Sequence, residues 1–375
     1  MQKVRLGFAW LTVALFLGFS GSWLADPIAP ATAGVLFVWL FATMAWSAFG
    51  ALKVADKLAE ILGEPLGSLV LTLTIIGLEG VLIAIAILTS EAGATIGRDT
   101  LLGANMIMIN LAGGLALFLG GLRHSEQTYN FQGTSAYLAV VIVLCVIGFV
   151  LPNYTTATPH GSVTNTQAAG IVVVTLFIYG TFLLMQIGRH KHFFVEPNAG
   201  GNTKTEPPTA PTTAPAMPAG PAEKKGGIGQ LTLLLLAGVV PVLLLGKFLT
   251  TILDHASTKL GTPPALGGVI IALIVVSPKL ISAIKAGLAD EPQRAANLAL
   301  GSCAPAMGVI LPIILLIGLA TGKTIVMGVV PAEVILLALT LVMSLLTFSG
   351  PRTTLLEGAA HLAIFVVYIV LMFSP

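Results

Sequence analysis

The stretch Gly67-Ser68-Leu69-Val70-Leu71-Thr72-Leu73-Thr74-Ile75-Ile76-Gly77-Leu78-Glu79-Gly80 runs on through Leu88 as an apolar segment with one carboxylate near its middle. A run of about 20 such residues can cross the hydrocarbon core of a bilayer as a helix. An ionisable side chain at that depth costs several kcal/mol, so it reads as a functional-site candidate by default. A second apolar run holds Val276-Ser277-Pro278-Lys279-Leu280-Ile281-Ser282, with an ammonium in the matching place. Glu79 lies 24 positions before Gly103 in Leu102-Gly103-Ala104, and Lys279 lies 22 before Gly301 in Leu300-Gly301-Ser302. A duplicated helix pair with a polar group mid-helix implies a secondary transporter whose binding site lies between two repeats.

Composition agrees. The 375 residues are 56% hydrophobic and 9% charged, with a mean hydropathy of +0.96. Soluble domains carry about 25% charged residues, so lipid is the expected solvent. A net charge of +2 with dispersed basic residues argues against nucleic acid as a partner. Cys145 and Cys303 fall inside apolar runs and read as packing residues, not a disulfide or metal pair. The first apolar run, Leu6–Leu24, reads as a retained helix rather than a cleaved signal.

Eleven spans are expected: Leu6–Leu24, Gly34–Leu52, Leu66–Leu88, Thr100–Leu119, Thr134–Leu151, Gln167–Gly188, Ile228–Leu249, Leu266–Ala286, Ala296–Gly318, Ile325–Phe348 and Leu355–Phe373. With the N-terminus in the cytoplasm, inner loops hold thirteen of the 18 lysines and arginines. Outer loops hold three (Arg98, Lys259 and Lys323), and Lys247 and Lys279 lie within spans. That bias predicts N-terminus in and C-terminus out. The proline- and threonine-rich stretch 189–227 has too little to bury and reads as a disordered cytoplasmic linker. The expected organisation is an extra helix over 1–33, a five-helix repeat over 34–188, the linker, and a second five-helix repeat over 228–375. Five is odd, so the repeats are inverted.

Several side chains could serve the site. Thr72 lies seven residues before Glu79, on the same helical face, and offers a hydroxyl oxygen. Gly77 and Gly80 leave room for a close approach. A buried carboxylate can hold a cation when ionised and a proton when empty; a structural ion pair with Lys279 is its plainer reading. Pro278 removes a backbone donor, so the helix is expected to break or kink at Ser277 and free carbonyls for a cation. Asn105 could coordinate a cation or bond neighbouring helices, while Asn110, Asn297, Ser302 and Cys303 read mainly as helix-to-helix contacts. Glu357 and His361 lie four apart on one face and read as accessory, either relaying protons or neutralising each other. Glu333, after Pro331, sits at an entrance. Glu91, Asp99 and Glu126 fall in loops and read as solvated.

The chain resembles the calcium/cation–proton antiporters of the CaCA superfamily, and more narrowly their bacterial ChaA-like branch. The resemblance is carried by Leu62-Gly63-Glu64-Pro65-Leu66-Gly67 leading to Glu79, then Arg98-Asp99-Thr100 and Gly120-Gly121-Leu122-Arg123-His124-Ser125-Glu126-Gln127. It continues in Gln132-Gly133-Thr134-Ser135-Ala136-Tyr137-Leu138, Leu151-Pro152-Asn153-Tyr154-Thr155 and the tail from Leu346-Thr347-Phe348-Ser349 to His361. The resemblance implies cation efflux in exchange for protons, with one essential glutamate per repeat. Glu79 matches the first glutamate. Where the family reads Ser-Pro-Glu, this chain reads Ser277-Pro278-Lys279. At ~5 Å and an effective dielectric near 20, each charge contact is worth about 3 kcal/mol, so the exchange disfavours a divalent ion. Calcium also wants six to eight oxygens.

These readings together predict an all-α polytopic membrane protein that exports Na+, K+ or Ca2+ against protons by alternating access in the inner membrane. The cation and proton site is expected at Glu79, Lys279, Thr72, Asn105, Ser277 and Ser302, with Glu79 as the metal ligand. The alternative is a divergent relative that moves another ion or none, with Glu79 and Lys279 locked as a pair. No cofactor motif and no catalytic constellation of an enzyme is apparent. Inorganic cations, protons and the bilayer are the expected partners, with a homo-oligomer left open.

Overall fold

The computed structural model describes residues 2–25, 28–63, 66–159, 161–187, 193, 227–350 and 352–374. The expected linker at 189–227 lies almost wholly outside the described residues, as do Glu64 and Pro65. Eleven long helices appear among the described residues. They are α1 (Gln2–Trp23), α2 (Pro30–Leu62), α3 (Leu66–Thr89), α4 (Ile96–His124), α5 (Phe131–Tyr154) and α6 (Asn165–Ile187), then α7 (Ile228–Leu260), α8 (Pro264–Leu288), α9 (Pro292–Thr321), α10 (Pro331–Thr347) and α11 (Leu355–Phe373). Nine are long and apolar enough to cross a membrane, and Leu73–Thr89 within α3 and all of α10 are shorter apolar helices. The chain is an all-α polytopic membrane protein with eleven helices, as expected.

Local signals set the ends. Pro30 opens α2, where its missing N–H costs nothing. Gly261 and Gly322 close α7 and α9 in the left-handed region, at φ 69° each, a conformation that favours glycine. The Asn130 side chain caps α5 by accepting from the Gln132 amide at 3.1 Å. The only strands among the described residues are Gln127–Thr128 and Arg352–Thr353, paired antiparallel.

Three helix lengths recur in chain order, while the last two pairs differ, 24 against 17 and 23 against 19 residues. The second and seventh helices have 33 residues each, the third and eighth 24 and 25, the fourth and ninth 29 and 30. At 1.5 Å per residue a 33-residue helix is about 50 Å long, more than the hydrocarbon core needs. The surplus carries charge: Lys53, Asp56, Lys57 and Glu60 end α2, and Asp254, His255 and Lys259 end α7.

Packing divides the chain into two compact units, each drawing on helices from before and after the linker. The first comprises residues 1–100 and 217–278. In it α2 lies along α7 and α3, and α1 packs on α2 and α7. Ala51, Val54, Ala55 and Leu58 of α2 bury a small-residue face against Leu235 of α7. Phe16 of α1 meets Trp39 of α2 and Phe248 of α7 at ring-centroid distances of 5.6 and 5.4 Å. The second unit comprises residues 101–216 and 279–375. There α4 packs on α11, α9 on α5 and α6, and α10 on α11. Backbones approach closely where α4 crosses α11. A methyl group on Gly114 would lie 3.1 Å from His361 Cβ, and one on Gly358 would lie 2.7 Å from Phe118 Cα.

Mid-helix prolines leave two kinds of trace. In the first unit the helices run on. Pro241 removes the donor that the Ala237 carbonyl would have used, and the Trp10 indole supplies one instead, Nε1 to O at 3.0 Å. In the second unit the helix widens: α5 and α9 turn π-helical over Val146–Val150 and Ala306–Ile310. Each π segment ends just before a Leu-Pro pair, Leu151-Pro152 and Leu311-Pro312. A proline lacks the N–H that continues an α-helix and crowds the carbonyl four residues back, here Gly148 and Gly308. A third π segment, Met106–Gly113 in α4, contains no proline.

Candidate cation site

Glu79 lies on α3 in the first unit and is 3% exposed. Ser277 belongs to the same unit, and its hydroxyl is engaged: Oγ donates to the Ile274 carbonyl at 2.9 Å. That carbonyl is the one Pro278 would otherwise leave without a donor. The helix α8 therefore continues from Pro264 to Leu288, and the break expected at Ser277 does not occur. The Ser277 hydroxyl thus supplies a donor that Pro278 withholds from the Ile274 carbonyl, and the Ser277 oxygen keeps its lone pairs. The Thr72 side chain lies outside the described residues.

Lys279 falls in the second unit and is 8% exposed. Two further expected ligands lie in that unit. Asn105 is buried at the end of the regular turn that precedes the π segment of α4. Its amide nitrogen faces Cys145 Sγ at 3.8 Å, while its carbonyl oxygen has no hydrogen-bond partner among the described residues. A buried amide oxygen without a partner carries its desolvation cost uncompensated, and it is the type of donor that hard cations take. Ser302 donates to the Leu298 carbonyl at 2.6 Å, which leaves its oxygen lone pairs to accept or coordinate. Gly301, beside it, is what lets Tyr137 lie flat on α9: a methyl there would meet the phenol oxygen at 3.1 Å.

The three accessory candidates occupy different settings. Glu333 accepts from the Val330 amide at 3.2 Å, at the start of α10. Glu357 accepts from the Thr354 amide at 2.9 Å and its hydroxyl at 2.5 Å, and Thr354 in turn accepts from the Leu356 amide. That reciprocal pattern is a capping box at the start of α11. Arg352 meets Glu126 at 2.8 Å. Asp99, read as solvated, is instead buried and paired with Arg98 at 2.7 Å.

His361 is fully enclosed. Its Nδ1 is 2.8 Å from Asn110 Oδ1 and its Nε2 is 3.1 Å from Thr347 Oγ1. The amide nitrogen of Asn110 points the other way, to Thr340 Oγ1 at 2.9 Å and Met106 Sδ at 3.3 Å. Sulfur and a hydroxyl both accept from N–H, which fixes the amide orientation and leaves Asn110 Oδ1 as acceptor. The neutral imidazole must then carry its proton on Nδ1 and accept from Thr347. Asn110 and His361 were each legible as isolated polar residues, but their junction through Thr340, Thr347 and Met106 was not.

Known proteins resemble this chain along most of its length. The sodium/calcium exchanger protein family matches residues 32–188 and 230–374. The protein y4hA of Sinorhizobium fredii is 34% identical over 93% of this chain and 91% of its own length. The sodium-potassium/proton antiporter ChaA of Escherichia coli is 31% identical over 88% of this chain and 86% of its own. Among solved structures, native YfkE superposes with a TM-score of 0.73 over the whole of both chains at 16% identity. The H+/Ca2+ exchanger CAX does so with 0.62 over 98% and 88% at 15% identity. The chain belongs to the sodium/calcium exchanger protein family and is a multi-pass membrane transporter rather than an enzyme.

Proposed function

We propose that this chain is a cation/proton antiporter of the inner membrane that exports a monovalent cation, sodium or potassium, against protons. Glu79 is the shared site: it holds the cation when ionised and a proton when empty. The observation that carries the reading is this carboxylate, enclosed mid-way along an apolar helix, where charge is seldom retained without a use. Lys279 stands where the resemblance expects a second glutamate. It supplies a fixed positive charge in place of a negative one, and the charge count then suits a singly charged ion. The relative named as a sodium-potassium/proton antiporter, 31% identical, supports the same choice. Asn105 and Ser302 add oxygen ligands, and the recurring lengths of the second to fourth and seventh to ninth helices support two inverted five-helix repeats working by alternating access.

The test is proton flux in inverted membrane vesicles with sodium, potassium and calcium added in turn. Sodium- or potassium-driven flux that is lost in a well-expressed Glu79→Gln variant is the expected result. Flux driven by calcium alone, or near-normal flux in Glu79→Gln, would overturn the proposal.

A further inference from the structure

The π segment of α4 begins directly after Asn105, and Asn110 lies five residues on. In an α-helix two residues five apart point about 140° away from each other. In a π segment, where bonds run from i to i+5, they come back toward one face. A π turn is the less stable local choice, so neighbouring contacts must hold it. In α4 no proline forces it. Asn110 makes hydrogen bonds within the segment and to two other helices: Met106 one turn earlier, Thr340 of α10, and His361 of α11, all buried. His361 is held in turn by Thr347 at its other nitrogen. Every polar atom of the Asn110 side chain is thus engaged, whereas the Asn105 oxygen at the head of the same segment has no partner among the described residues.

We propose that Asn110 and His361 are positioning residues for the cation site. They pin the π turn of α4 from two other helices and thereby set where the Asn105 carbonyl oxygen sits. The inference rests on the proposed function in one respect, that Asn105 is a cation ligand. The bond that matters is Nδ1–H to Asn110 Oδ1. An asparagine at 361 can place an amide N–H close to the Nδ1 position, while a glutamine places its amide near Nε2 and serves only Thr347. Leucine serves neither.

The experiment measures KM for sodium and for potassium, and their ratio, for purified protein reconstituted with a pH-sensitive dye. The same cations are also titrated as thermal-shift ligands in detergent, which reads affinity without transport. The expected result is that His361→Gln and Asn110→Ala raise the cation KM and the thermal-shift midpoint by about tenfold and change the sodium-to-potassium ratio, a loss of about 1.4 kcal/mol. His361→Asn is expected to restore both toward the parent. Asn105→Ala is expected to match His361→Gln, and the double variant to be no worse than either single one. Lower yields of folded protein with an unchanged KM and ratio in both His361→Gln and His361→Asn would show a merely structural role and overturn the inference. An Asn105→Ala variant with parental KM would overturn instead the ligand reading beneath it.

Discussion

At the scale of single residues, the proposed function gives some buried charges to transport and leaves other polar groups to repair the backbone. Lys279 belongs to the first class. Lys279→Glu changes the local charge by two units, and at about 3 kcal/mol per close contact it should shift preference toward calcium by several orders of magnitude. Calcium-dependent proton flux that appears in this variant alone is the expected outcome. Ser277 belongs to the second class. Its hydroxyl serves the Ile274 carbonyl, so Ser277→Ala should cost about 1 kcal/mol or more in detergent unfolding. Pro278→Ala returns the missing N–H and should stabilise α8 by roughly 1–3 kcal/mol. In the Pro278→Ala background, Ser277→Ala should be nearly silent. Equal losses in both backgrounds would show that the hydroxyl has another task.

At the scale of helices, close approach is bought by glycine. Gly358 of α11 has no room for a methyl group against α4, whereas a methyl on Gly170 of α6 would meet nothing within 4 Å. Gly358→Ala should therefore destabilise the protein by about 1–3 kcal/mol. Gly170→Ala should be neutral or stabilise it by up to about 1 kcal/mol through helix propensity. Thermal unfolding of the two variants side by side checks the contrast. The apolar runs made the eleven helices readable in sequence, since length and hydropathy decide a span. Glu79 and Lys279 were readable for the complementary reason, each being a charge in an apolar run. The π segments were not, because α and π turns share the same apolar pattern and differ in a one-residue shift of hydrogen bonds. The Thr354-x-x-Glu357 capping pattern is present in the letters, but with Arg352 and His361 nearby the same carboxylate reads equally well as a charge partner. The donor that Ser277 gives the Ile274 carbonyl hinges on one hydroxyl rotamer, which no periodicity reports.

At the scale of the whole molecule, the basic residues assign sidedness. Thirteen of 18 lysines and arginines fall in one set of expected loops and three in the other, a bias that predicts the N-terminus and the 189–227 segment in the cytoplasm and the C-terminus outside. In intact cells a cysteine at Ser374 should react with an impermeant thiol reagent, and one at Thr209 should react only after the membrane is opened. Labelling of Thr209 from outside would reverse the orientation. The compact units could not be read from sequence. Periodicity locates helices one at a time, while the pairing of α2 with α7, or of α4 with α11, depends on small-residue faces more than a hundred positions apart.

The bond from Trp10 to the Ala237 carbonyl has a consequence for how such a chain could be shortened. The first helix stands outside the two five-helix repeats proposed above, which makes it the natural one to remove in a shortened exchanger. Removing it would leave a carbonyl on α7 with neither its helical donor, forfeited at Pro241, nor water to replace it, a debt of several kcal/mol in hydrocarbon. The first helix and Pro241 are therefore coupled in one direction: a ten-helix version of this protein should be more stable with an ordinary residue at position 241 than with the proline.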